Sequence, residues 1–414
     1  MLDFLLKKRR PRDLLLLFEL LAILLLFFFN NTHVDKYIAI LFLGLILIIY
    51  ISNFILGRVS SGDNYIFLIV SMLLTIGIIV IYRINPNLGI LQLVWSLLGI
   101  SLFYITYFAM RAFRRLEKYT VLYFLGSVFL FLATAIFGTD KDMGAKNWIV
   151  IGNFSMQPSE ITKILVIFLV ASYYSSFQYT SSINKKYKDY NLLLAIYFLV
   201  ALLFKQKDLG TAAIFLAIFT GIQFIYDDNY KGILINLGLI LVGAFLGYKL
   251  FSHVRVRVDI WLDPWKQDRV YNIGSQIVQS LFAIGEGGFF GTGLGLGYPN
   301  LVPVGYSDLI FSIICEEMGI FVGIGIIMLF MLLTYRAIKI AMGQEYKFYR
   351  ILAIAVGILF TVQAFLNIGG VTKFIPMTGI TLPFISYGGS SMISSFIALG
   401  ILQVTSEDMS YKYE

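Results

Sequence analysis

Apolar positions in this chain do not alternate with polar ones. They come in unbroken runs such as LLLLFELLAILLLFFF at 14–29, long enough to cross a ~30 Å hydrocarbon core as a helix. Twelve such runs can be marked, at roughly 14–29, 37–56, 65–83, 87–110, 119–137, 159–177, 191–205, 209–226, 233–250, 307–334, 349–370 and 385–405. Barrel strands would show short alternating segments instead. A helix also satisfies its own backbone inside lipid. The expected fold class is therefore an all-α polytopic membrane protein with about twelve transmembrane helices. Most connections are short. Two are long, 138–158 and 251–306. Within the second, YNIGSQIVQSLFAIGEGG (271–288) carries Ile273, Ile277, Leu281 and Ile284 at helical spacing. It reads as an amphipathic segment on the membrane face or at a cavity mouth, or as a plain cover over helix ends.

Composition and charge sharpen this picture. The chain of 414 residues is 59% hydrophobic and 14% charged, with a mean hydropathy of +0.83. Those values exclude a soluble domain. KKRRPR (7–12), RAFRRLEK (111–118), NKKYK (184–188) and the 335–350 segment all fall on one side of the membrane. By the positive-inside rule both termini are cytoplasmic and the two long connections lie outside the cytoplasmic membrane. The net charge of +8 is thereby accounted for by orientation, with no nucleic-acid partner expected. MLDFLLKKRRPRD shows no signal-peptide cleavage site. A single cysteine, Cys315, rules out an internal disulfide, and His33 and His253 have no metal-ligand spacing.

Polar residues near the outer ends of the runs are the candidates for chemistry. In VGYSDLIFSIICEE (304–317), Asp308 stands at the start of a predicted helix. There it would either cap free N–H groups or act as a catalytic carboxylate. Glu316 and Glu317 follow eight and nine residues later, about 12 Å deeper at 1.5 Å per residue. They are expected to face a protein interior or a wet cavity and to pair with something there, or else to be a structural ion pair or a protonated glutamic acid. QPSEITK (157–163) places Gln157, Ser159, Glu160 and Lys163 at a helix start, with Glu160 and Lys163 spaced to pair. KQKDLGTA (205–212) puts Asp208 between two short spans. FIPMTGITLPFISYGGSS (374–391) brings Thr378, Ser386, Tyr387 and Ser390 to irregular backbone, which membrane depth tolerates only beside protein or a cavity. GTGLGLG (291–297) lacks a phosphate-loop context and reads as a flexible turn.

QPSExxK, QKDLGTA, GYP followed by SDLIFSIICEE, and LPFISYGGSS, in that order, resemble the motifs of the SEDS family, which includes RodA, FtsW and SpoVE proteins. The resemblance covers about 60–406. It implies a polymerase core at 61–406, an N-terminal addition of two spans at 1–60, and a cytoplasmic tail at 407–414. It leans towards RodA-like members, because Thr378 stands where some division-type members have lysine. Valine, glycine and tyrosine at 304–306 replace a common acidic residue and histidine, and Lys207 replaces a proline.

The resemblance implies a peptidoglycan glycosyltransferase polymerising lipid II outside the membrane, with a class B penicillin-binding protein as partner. Asp308 takes the place of the family's essential aspartate and would be the general base. Lys146, Lys163, Arg255 and Arg257 are candidates for meeting the leaving pyrophosphate, with a divalent cation (Mg or Mn) as a further one. Trp148 and Gln276 join the motif residues as substrate-binding candidates. A lipid II flippase or a non-catalytic scaffold of the cell-wall complex would share the spans. A flippase, however, would keep its polar groups near the midplane.

Overall fold

The computed structural model describes residues 36–407 except 114, 143–144, 153, 178–187, 228–229 and 267–273, together with 13, 17 and 21. The first apolar run, the basic cluster at 7–12, most of NKKYK and the tail beyond 407 lie outside the described residues. The other eleven runs are helical. In chain order they are α1 (Lys36–Val59), α2 (Tyr65–Ile84), α3 (Pro86–Ala112), α4 (Thr120–Phe137), α5 (Pro158–Ser172, extended by a π turn, Tyr173–Phe177), α6 (Lys188–Lys205), α7 (Leu209–Tyr226) and α8 (Tyr230–Leu250). After two loop helices, α9 (Ser252–Leu262) and α10 (Ser275–Gly287), come α11 (Ile310–Gly343), α12 (Lys347–Val371) and α13 (Gly389–Thr405). Seven of the described helices are long and apolar enough to cross a membrane, and Leu43–Val59, Tyr190–Lys205 and Gly389–Thr405 contribute shorter apolar stretches. The protein is a multi-pass helical membrane protein.

Burial separates centre from periphery. In α2 and α12, 78% and 67% of the apolar window is buried inside the protein, against 17% in α8 and 22% in α4. The first two form the middle of the bundle. The other two present Leu241, Phe245, Phe129 and Ile136 outwards, the pattern of a surface solvated by lipid tails. α13 lies on α3, and α11 on α12. Residues 139–156 are not an irregular loop. They form an antiparallel sheet in the order β1 (Thr139–Asp142), β2 (Ala145–Ile151), β3 (Phe154–Met156), and deliver the chain to Pro158 at the start of α5.

α11 departs from the expected single span at 307–334. Its 34 residues would extend about 51 Å at 1.5 Å per residue, well beyond the hydrocarbon core. It breaks at Gly319, whose φ is 82°. The break exposes backbone groups, and the glycine-rich segment after α10 satisfies them. Thr292 N donates to Glu316 O at 2.9 Å, Gly293 N to Glu317 O at 3.0 Å, and Ile320 N to Gly288 O at 3.0 Å. A Cβ at Gly287 would lie 2.0 Å from Cys315 O, so only glycine allows this approach. GTGLGLG is thus a packed backbone cradle rather than a flexible turn.

The cradle also explains the acidic pair. Glu317 Oε2 accepts from Gly295 N at 3.1 Å and its Oε1 lies 3.5 Å from Arg83 Nε, while Glu316 Oε1 accepts from Tyr298 N at 2.7 Å. Arg83 stands in the last turn of α2. The pair therefore sits level with the end of a span, not deep along one.

Candidate active site

Polar residues from the starts of α5 and α7, from α9 and from the segments before α11 and α13 are tied to one another. The α6–α7 link is only Gln206–Asp208, with Lys207 held at φ 60°. Asp208 caps α7, accepting from Thr211 N at 3.0 Å and Thr211 Oγ1 at 2.9 Å. Its Oδ2 also accepts from Gln157 Nε2 and Ser159 Oγ, both at 3.2 Å. The start of α5 is thereby tied to the start of α7.

Arg257, on α9, donates from Nη1 to Thr378 O at 2.8 Å. The next residue, Gly379, has φ +76°. A Cβ there would lie 3.4 Å from Arg257 Nη2 and 3.7 Å from Asp308 Oδ2. Guanidinium and carboxylate thus face one bare stretch of backbone. Arg257 is exposed and Asp308 and Asp208 are half-buried, so the cleft is open to water. Burial among surrounding atoms lowers the Arg257 pKa from its ordinary value, and Asp308 and then Asp208 oppose that. One turn earlier, burial and then Arg257 and Lys207 lower the His253 pKa from its ordinary value.

Asp308 does not occupy the capping position of α11, which belongs to Leu309. Its place is set through its backbone. Tyr387 N donates to Tyr306 O at 2.9 Å, Ser386 Oγ to Ser307 O at 2.6 Å, and Asn367 Nδ2 to Asp308 O at 2.9 Å. The same Asn367 nitrogen donates to Ile380 O at 2.8 Å. Three consecutive carbonyls before α11 are thus each held by α12 or by the segment before α13.

Comparison with known proteins agrees with this construction. The FtsW/RodA/SpoVE family profile, described as cell cycle protein, matches residues 63–411. The chain belongs to this family. Among its relatives, the peptidoglycan glycosyltransferase RodA of Mycobacterium tuberculosis is 32% identical over 363 residues, covering 82% of this chain and 77% of the relative. Stage V sporulation protein E of Bacillus subtilis is 33% identical, covering 83% and 96%. In fold the chain is similar to RodA of Thermus thermophilus, with a TM-score of 0.62, 24% identity and coverage of 84% and 97%. It is also similar to a chain from a structure titled as a peptidoglycan synthase complex coordinating polymerization and crosslinking, with a TM-score of 0.69, 22% identity and coverage of 86% and 99%.

For this family member, the structure sorts the residues singled out in the sequence. Asp308, Arg257, Thr378, Asp208, Gln157 and Ser159 come together. Lys163 does not join them. It is 1% exposed, its Nζ lies 2.8 Å from Glu160 Oε2, and Ser394 Oγ donates to the same oxygen. That buried pair pins α5 to α13 and cannot meet a substrate. Arg255 points elsewhere, donating to Lys249 O at 2.8 Å and lying over the Tyr248 ring. Ser386 is buried and its hydroxyl lies between Leu382 N and Ser307 O. Tyr387 packs edge-on against Tyr306, and Ser390 Oγ accepts from Gln157 N at 3.1 Å. These three position the backbone. Lys146 and Trp148 stand on β2, and Gln276 in the first turn of α10. Neither element supplies any of the cleft contacts described above.

Sequence reasoning passed over Asn367, Gly379 and Gln92, which donates to Ser386 O at 3.0 Å. The available signal was an amide within an apolar span, at Gln92 and again in FLNIGG. Such a group is costly in lipid unless a partner is waiting.

Proposed function

We infer that this chain is a peptidoglycan glycosyltransferase that polymerises lipid II on the outer face of the cytoplasmic membrane, with Asp308 as its general base. Family membership carries the reaction class. The observation that supports the residue assignment is the water-open cleft in which Asp308 and Arg257 flank the bare backbone of Gly379. The acceptor is a sugar hydroxyl, a poor nucleophile until its proton leaves. Asp308 takes that proton as the new glycosidic bond forms and the lipid pyrophosphate departs. A base of this kind contributes ~10²–10⁴-fold. Arg257 supplies positive charge for the developing pyrophosphate, and its bond to Thr378 O aims it.

A resident cation does not fit this arrangement. The described residues include no cluster of three or more His, Cys, Asp or Glu able to hold one; Asp308 faces a guanidinium across Gly379, and the Asp208 oxygens are taken up by Thr211, Gln157 and Ser159. No step here is routed through a metal. Residues 61–406 form the catalytic core, with 1–60 added to it and 407–414 as a tail. Both termini are cytoplasmic. The partner is a class B penicillin-binding protein, in keeping with the synthase complex that this fold resembles.

The test is polymerisation of labelled lipid II by the purified chain with its partner, comparing wild type with Asp308→Asn at matched folding and partner binding. Polymer from wild type alone supports the assignment. Equal polymer from both removes Asp308 as base. No polymer from either, with lipid II still crossing vesicle membranes, indicates a flippase. Neither polymer nor crossing indicates a scaffold.

A further inference from the structure

Apart from the Asp308 cleft, a second hollow of 470 Å³ opens between α10 and residues 298–302. Leu281, Phe282, Ala283, Leu301 and Val302 make its lining largely apolar, and Glu316 reaches it from α11. Glu316 is 4% exposed. Its Oε1 accepts from Tyr298 N, but its Oε2 is buried without a hydrogen-bond partner. A buried carboxylate oxygen left in that state is costly. Arg83 does not relieve it, being turned to Glu317. Glu286 also lines the hollow, and no lining residue is basic. The site is apolar, acidic and short of one donor.

Its surroundings indicate what can fill it. Phe282, Tyr298 and Leu301 are exposed at its edge, and Phe289 and Phe290 lie on the adjoining cradle, Phe290 being 82% exposed. Tyr298 is of the residue type that concentrates at the interfacial zone of a bilayer, and the exposed phenylalanines beside it offer apolar surface at the same place. Arg83, in the last turn of α2, holds the neighbouring Glu317 at that level. A lipid is the occupant these features favour.

We propose that the hollow binds a membrane lipid with a primary-ammonium headgroup, its N–H donated to Glu316 Oε2 and its apolar part laid on Phe282 and Leu301. A trimethylammonium headgroup carries the charge but has no N–H to donate. An anionic headgroup meets Glu316 and Glu286 and is repelled.

The full chain would be reconstituted in nanodiscs containing equal parts phosphatidylethanolamine, phosphatidylcholine and phosphatidylglycerol. Retained lipid would be read by native mass spectrometry. Wild type is expected to hold one phosphatidylethanolamine with roughly tenfold preference over phosphatidylcholine, the worth of one charge-assisted hydrogen bond. Glu316→Gln keeps an acceptor for Tyr298 N and should lose that preference. Leu301→Trp fills the hollow without touching the carboxylate and should lower retention. Equal retention of the two zwitterionic lipids by wild type overturns the proposal, as does preferential retention of phosphatidylglycerol. So does a preference that survives in folded Glu316→Gln. Should that variant not fold, Leu301→Trp decides, and unchanged retention there overturns the proposal.

Discussion

Asn367 offers a direct test of how Asp308, the proposed general base, is held. It lies in α12, 4% exposed, and one amide nitrogen bridges Asp308 O and Ile380 O at 2.9 and 2.8 Å. Asn367→Leu keeps the branched shape of the side chain, is no worse in a helix, and strands both carbonyls. Each lost bond is worth about 1 kcal/mol, and an unsatisfied buried carbonyl raises the cost, so the pair comes to about 2–4 kcal/mol. The neighbouring ties from Ser386 and Tyr387 to Ser307 O and Tyr306 O remain. The segment therefore stays docked and the loss concentrates at Asp308. If 2.7 kcal/mol of it appears in the transition state, polymerisation slows about 100-fold. The assay is the initial rate of lipid II polymerisation by the purified complex, with thermal melting alongside. A folded Asn367→Leu protein working within twofold of wild type refutes the reasoning. So does a loss of folded protein with full specific activity in the fraction that survives.

Four further substitutions probe the same construction. Gly379→Val adds a branched side chain at φ +76° between Arg257 and Asp308. It should cost about 1–2 kcal/mol in backbone strain and abolish polymerisation in a protein that still melts cooperatively. Arg257→Gln should slow polymerisation about 100-fold or more. Arg255→Gln, whose guanidinium is bound to Lys249 O, should stay within twofold; equal losses in the two would show that the site was drawn around the wrong arginine. Lys163→Met strands buried Glu160 and should lower stability by about 3–5 kcal/mol, with most of it recovered on adding Glu160→Gln. Melting midpoints in detergent would show whether the double variant is the more stable.

Much of this protein was legible in one dimension. A membrane span is a local property: twenty apolar residues satisfy their own backbone wherever they lie in the bundle. The runs from 37 to 405 accordingly reappear as helices with ends shifted by only a few residues in most cases. Motif order was equally legible, and with it Asp308, Asp208 and the Glu160–Lys163 pairing, which needs only a helical spacing of three. What the sequence could not show was which polar groups are used up. Lys163 and Arg257 both looked like free cations beside an outer helix end. One is sealed against Glu160, and the other faces Asp308 across Gly379. Arg255 and Arg257 differ by two positions on a short helix, so one turns to the α8 end and the other to the cleft. The break at Gly319 and the glycine cradle that satisfies it are likewise contacts between segments some thirty residues apart. Such partnerships depend on how helices pack, and local sequence carries the propensity for a helix but not the identity of its neighbour.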